Sequence, residues 1–378
     1  MLNKTFGRIL GCALLLHGST ALAFTLIDIS IPSTTITGAF TLQAQVQPIV
    51  GTIRAQIFGL RRPGSSKEVT QDTEKVTQVG GIMLAANDRS GSASDVNYLA
   101  AAADAPSGGG SGSGGSPQSL WISSTTDSLE NTFFRTAFYG ATQNVLVGYD
   151  VTRSDKFVLG ISGGYEASNF ATKFNSGNEK TGGYNLNPYF AWLISDAWSL
   201  DLIAGVGKFS TDQSRTVGSG LAGDFSTNAV DSNFSSKRGF VSTNATNVSS
   251  FGNWKLTGSL GFLWSKRDQH AYTENGVTGT AVAASKQTSE QWNLLGEAAY
   301  GRGNSETFFG ARYEDVRHYQ KIEFATGEQP ANDPTSVLLS AGWRYFAKGL
   351  TASFVFSGRV AQQQVKEHGF AMVLRADL

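Results

Sequence analysis

Between Trp254 and Trp264 the chain repeats an oily residue at every second position. Trp254, Leu256, Gly258, Leu260, Phe262 and Trp264 share one face, while Lys255, Thr257, Ser259, Gly261 and Ser265 occupy most of the other. Successive side chains of a strand point to opposite sides, so this segment has one oily and one wet face. A soluble sandwich also alternates, but the Trp at each end of the oily face is a further constraint. Ten residues at about 3.4 Å rise, tilted by about 40°, climb roughly 26 Å, the height of the apolar band around a membrane barrel. Aromatic rings favour the two boundaries of that band. The pattern predicts a strand that crosses a bilayer.

The same alternation recurs to the end of the chain and predicts twelve strands, at 120–126, 144–151, 156–166, 184–194, 198–206, 238–246, 254–264, 291–300, 307–316, 336–346, 350–360 and 369–378. Short turns at 195–197, 301–305 and 347–349 alternate with polar stretches, of which 211–236 and 267–288 are the longest and are predicted as loops. In the last five strands no outward position carries a charge, as a lipid-facing surface requires. The fold class is therefore all-β: a transmembrane antiparallel β-barrel of about twelve strands, with a short helical and disordered N-terminal region. Closure removes the edges an open sheet of this size would expose. Trp198, Trp254, Trp264 and Trp343 form the expected aromatic girdle. Glu297, Arg312, Glu314, Arg344 and Arg359, with Asp201, alternate with outward residues and should face the lumen. There they either pair with one another to stiffen the wall or grip a helix or chain inside.

Upstream the sequence reads differently. Residues 1–23 have the form of a signal peptide: Lys4 and Arg8, an apolar stretch from Ile9 to Leu16, and Ala21-Leu22-Ala23 as a cleavage site. The single cysteine, Cys12, lies within it, so the mature chain has no disulfide or thiolate metal site. Removing Lys4 and Arg8 takes the net charge from zero to about −2, which offers nothing to nucleic acid. Residues 24–106 form a short passenger-like region containing one helix near 41–60. There Val46, Ile49, Val50, Ile53, Ile57 and Leu60 recur at helical spacing and Pro48 suits a first turn. Its other face carries Gln47, Arg54 and Gln56, possible partners for lumen charges if the helix lies inside the barrel. One or two helical turns are expected at 98–105. Residues 107–118 are a Gly/Ser linker, and the barrel occupies 119–378.

The segments LWISSTTDSLENTFF, VLVGYDVTRSDKFVLGISGGYE, NPYFAWLISDAWSLDLIAGVGKF and WKLTGSLGFLW resemble the translocator domain of autotransporters, the type V secretion barrels. The likeness covers 119–378. It implies an outer-membrane barrel of a Gram-negative bacterium that meets outer-membrane lipid, is inserted by the barrel-assembly machinery with periplasmic chaperones, and carries an N-terminal passenger to the cell surface. It also implies a C-terminal assembly signal, which Glu367, Gly369, Met372 and Leu374 fit; such barrels usually end in Phe or Trp, and this one ends in Leu378. The passenger region is unusually short, holds no β-solenoid repeat, and no Asn-Asn dipeptide marks a cleavage point.

Chemistry adds little. Hydrolysis would want a His positioned by an acid. His270 beside Asp268, and His318 after Glu314 and Asp315, are the available sets, and both read as loop polarity. The expectation is a monomeric barrel that is not an enzyme and needs no cofactor or metal. It anchors a short N-terminal segment and exports it through its pore. The alternative is a non-secreting pore, or an adhesive surface protein acting through its extracellular loops.

Overall fold

A computed structural model describes residues 32–59, 118–153, 156–218, 227–276, 280–318, 328–331, 333–347 and 349–378. Twelve strands form one closed antiparallel barrel: β1 (Gln118–Asn131), β2 (Phe138–Arg153), β3 (Phe157–Thr172), β4 (Gly177–Leu193), β5 (Trp198–Gly218), β6 (Thr227–Phe251), β7 (Trp254–Gln269), β10 (Ser285–Arg302), β11 (Ser305–His318), β12 (Thr335–Ala347), β13 (Leu350–Val360) and β14 (Val365–Asp377). A small hairpin, β8 (Tyr272–Thr273) with β9 (Ala281–Val282), rides on the connection from β7 to β10. Each barrel strand pairs with its neighbours in chain order. The circle closes where β1 meets β14, from Ser119 opposite Asp377 to Asn131 opposite Val365. Each of the twelve predicted strands coincides with one of these.

The two ends of the barrel differ. At the turn end, the Ile194 and Ser195 amides donate to the Trp198 carbonyl, and the Trp198 amide donates to Ser195 Oγ at 3.1 Å. Gly303 (φ +59°) and Gly349 (φ +71°) supply the left-handed backbone that closes two other turns. The loop end corrects the two long loops expected at 211–236 and 267–288. β5 and β6 stay paired up to Gly218 opposite Thr227, and β7 and β10 up to Gln269 opposite Ser285. Beyond the lipid band both faces of a strand meet polar surroundings, so the alternation stops while the ladder of backbone bonds continues. On β5, outward Ser210, Asp212 and Ser214 alternate with inward Thr211, Gln213 and Arg215, and no oily face marks the strand. Surface adhesion through long loops loses most of its basis among the described residues.

Among the described residues one helix, α1 (Ser33–Gly59), accompanies the barrel. It begins eight residues earlier than expected, and Pro48 sits inside it rather than in its first turn. Proline has no N–H to donate back along the helix, so Pro48 weakens α1 as an isolated element. The surrounding wall holds it: every side chain from Thr41 to Arg54 is buried. The leader, residues 107–117 of the linker and the turns expected at 98–105 lie outside the described residues, and Gln118, expected to end the linker, opens β1.

Candidate functional site

α1 lies in the lumen. At about 1.5 Å per residue its length is near 40 Å, enough to run the height of the barrel. Its N-terminal end is at the loop end. Ser33 Oγ meets Thr172 Oγ1 at 3.2 Å, Thr34 Oγ1 lies 3.4 Å from the Tyr272 phenol, and Thr37 Oγ1 donates to Glu179 at 2.5 Å. The Thr34 amide, one of the orphan donors of a helix start, donates to Gln213 Oε1 of β5 at 3.3 Å. Burial pushes the Tyr272 phenol above its ordinary range. The C-terminal end is at the turn end: Arg54 Nε pairs with Asp201 at 3.2 Å, its Nη2 donates to Ser242 Oγ at 2.7 Å, and Arg375 donates to the Gln56 carbonyl at 3.3 Å. Midway, the Gln47 amide donates to Gln291 and its oxygen accepts from Arg312 at 3.5 Å.

The lumen is two-sided. Leu42, Val46, Ile49, Val50, Ile53 and Ile57 of α1 pack against inward apolar residues of β1–β7: Trp121, Leu146, Val158, Tyr189, Ile203, Phe240 and Leu263. Three of these rings lie over glycines of neighbouring strands, Trp121 on Gly148, Tyr189 on Gly160 and Phe240 on Gly205; a Cβ there would fall within 2.2 Å of each ring. The inward face of these strands was expected to be wet. It is oily where the helix covers it, which makes α1 and half the wall one hydrophobic core.

The far wall, β10–β14, carries the densest ion-pair network, beside a small apolar cluster of Ala299, Phe308, Val355 and Ala371. Arg344 pairs with Glu297 at 3.0 Å and Glu306 at 2.6 Å, and Lys255 reaches Glu306 at 2.9 Å. Arg344 also stacks over the Phe308 ring, 3.7 Å from its centroid. Arg359 pairs with Glu314 at 2.5 Å and Glu367 at 2.7 Å, and Arg312 joins Glu314 at 2.8 Å. All five charges expected in the lumen stand there, and they pair mainly with one another. Of the expected helix partners, Arg54 and Gln47 bond to the wall through their side chains, and Gln56 through its carbonyl. Among the lumen pairs that went unnoticed in the sequence are Asp150 with Arg375 at 2.9 Å, where Asp150 also accepts from Tyr189 at 3.0 Å, and Glu166 with Arg238 at 2.7 Å. Their signal was present, since each carboxylate alternates with outward apolar residues.

On the outer face Trp198, Trp254 and Trp343 stand exposed near the turn end, and Trp264 points outward toward the loop end. Of the residues matching an assembly signal, Glu367 and Gly369 face in, and Met372 and Leu374 face out. Leu378 follows β14 and donates its amide to the Gln118 carbonyl at 3.0 Å. His270 meets Ser235 Oγ at 3.0 Å through Nδ1, while Asp268 pairs instead with Lys266 at 2.8 Å. The acid–His pairing that hydrolysis would want is therefore not formed there. His318 is the last residue of β11.

No curated protein matches this sequence. Among solved structures, the translocator domain of the autotransporter NalP from Neisseria meningitidis is similar at 14% identity and a TM-score of 0.58, over 69% of this chain and 89% of that one. The β-domain of the Bordetella autotransporter BrkA is similar at 13% identity and a TM-score of 0.56, over 69% of this chain and 100% of that one. At these identities the likeness speaks for the fold. The family model of the autotransporter β-domain matches residues 120–311. With twelve strands closed around a lumen and that match covering half of its length, the chain belongs to the autotransporter β-domain family.

Proposed function

We propose that this barrel sits in the outer membrane of a Gram-negative bacterium, delivers the chain segment ahead of Ser33 to the cell surface, and retains α1 as the plug of its pore. The observation that carries the reading is the direction of α1: Ser33 is held at the loop end by Thr172, and Arg54 at the turn end by Asp201. With short turns facing the periplasm and loops facing outward, whatever precedes Ser33 emerges outside. β1 also starts at the turn end, so the chain leaves α1 and re-enters the wall from the periplasmic side. The filled lumen speaks against a passive open pore. Insertion would use the barrel-assembly machinery and periplasmic chaperones, reading Glu367, Gly369, Met372 and Leu374. The function needs no catalytic group.

Two epitope insertions test this in intact cells, one just after residue 26 and one near residue 62. Protease should remove the first while the outer membrane is intact and the second only after it is opened. Protection of the first tag in intact cells would refute export, and cleavage of the second would refute the orientation of the helix.

A further inference from the structure

The outer face at the loop end carries a groove that lumen plugging does not use. Outward side chains of β1–β5 line an open depression of about 1960 Å³, floored by small residues such as Ala141, Ala167 and Gly182. Tyr165 and Tyr184, edge to face at 5.1 Å between ring centroids, form its lower border. Below them the outer wall is apolar, with Val145, Ile161, Leu186 and Val206 exposed. Above them stand the exposed Lys173 and Lys180, and the exposed Lys208 lies opposite Tyr184 on the neighbouring strand. Lys173 shares Glu130 at 3.7 Å, but Lys180 and Lys208 make no ion pair among the described residues. Asp212, also in the groove, accepts from Asn233 at 2.6 Å.

Tyrosines mark the water–lipid boundary, and lysines immediately beyond it meet headgroups rather than acyl chains. In register, Lys180 lies opposite Asp212 and Lys208 opposite Tyr184. The two lysines are therefore displaced by about 14 Å along the ladder, a spacing suited to two anionic groups rather than one. We propose that this groove seats a phosphorylated glycolipid of the outer leaflet. Its headgroup phosphates would be held by Lys180 and Lys208 with help from Lys173, and its chains would lie on the apolar wall below. The proposal rests on the outer-membrane reading above.

The test uses the full chain folded in zwitterionic detergent and titrated with diphosphoryl lipid A, with bound lipid counted by native mass spectrometry. At about fivefold per lysine near a charged surface, the K173Q/K180Q/K208Q variant should bind about a hundredfold more weakly. Fully dephosphorylated lipid A should bind wild type no better than it binds the variant. A K266Q/K286Q control, outside the groove, should bind like wild type. Equal binding by wild type and the triple variant, indifference to dephosphorylation, or an equal loss in the control would each overturn the proposal. Displacement of the lipid by submillimolar inorganic phosphate would also overturn it, in favour of a soluble anion. Heat-modifiable migration on gels checks that each variant is folded. Should the triple variant not fold, wild-type binding that ignores a rise from 50 to 500 mM salt would count against the lysines. If the tag before Ser33 is displayed while lipid binding ignores the lysines, only this proposal falls. If the tag stays protected while the lysines still govern lipid binding, export falls and this proposal stands; recovery of the chain outside the outer-membrane fraction would put the outer-membrane reading itself at fault.

Discussion

Replacing Arg54 with alanine should loosen the plug without dismantling the barrel. Arg54 and Asp201 are paired at 3.2 Å with side chains 4% and 1% exposed, and Ser242 holds the second guanidinium nitrogen at 2.7 Å. Removing one partner of a buried ion pair costs about 3–5 kcal/mol, because the other charge loses its counterion. α1 keeps its apolar face against β1–β7, so the cost falls on docking of the C-terminal half of the helix. The twelve-strand ladder, which does not involve Arg54, is spared. At about 1.4 kcal/mol per tenfold change, the undocked population should rise by between two and four orders of magnitude. Single-channel recording in planar bilayers would read this as long open events that are rare in wild type. The control is R54A/D201N. Neutralising Asp201 removes the stranded charge, so the double variant should recover most of the closed time. If R54A is as quiet as wild type, the pair does not hold the helix. If the double variant opens as often as R54A, the cost does not come from the stranded carboxylate.

Other substitutions separate the core, the glycine contacts and the lipid face. Leu263, 2% exposed and packed in the core that α1 shares with the wall, should lose about 2–5 kcal/mol on change to alanine, read as an earlier heat-modifiability transition. Gly148→Val would push a methyl group into the Trp121 ring, whose atoms lie 2.2 Å from an added Cβ. A loss of about 1–3 kcal/mol and an altered Trp near-ultraviolet dichroism signal are expected. Leu260, exposed on the outer face, should cost about 2–4 kcal/mol as arginine near the bilayer midplane, measured by urea titration in vesicles. A result near zero there would place β7 outside the apolar band.

The strands were legible because lipid enforces period two: Trp254, Leu256 and Leu260 leave little choice of face. Where lipid ends, so does the signal, and the upper halves of β5 and β6 read as loop for that reason. Leu263 breaks the wet face of β7, and Trp121, Leu146 and Phe240 do the same on their own strands. Each looks like noise alone; together they outline the shadow of a helix on the wall. The start of α1 was hidden for a different reason. Gln213, more than a hundred residues away in sequence, accepts from its first turn, and local spacing holds no trace of such a partner. The lumen charges could be placed by alternation, but not their pairing, since Arg344 with Glu297 and Arg359 with Glu314 depend on register.

The two-sided lumen has a consequence for how this sequence can change. Where α1 covers β1–β7, at Trp121, Leu146, Ile203 and Leu263, the wall is packed as a soluble protein's interior is, so volume and shape constrain those positions as tightly as any globular core. At the lumen ion pairs, densest on β10–β14 but including Glu166 with Arg238, charges are matched and change is tolerated best in compensating pairs. A random mutant library should therefore split by the kind of lumen position, with helix-covered apolar sites on one side and ion-paired sites on the other. Single neutral swaps of similar size should survive on one side, and coordinated double changes on the other.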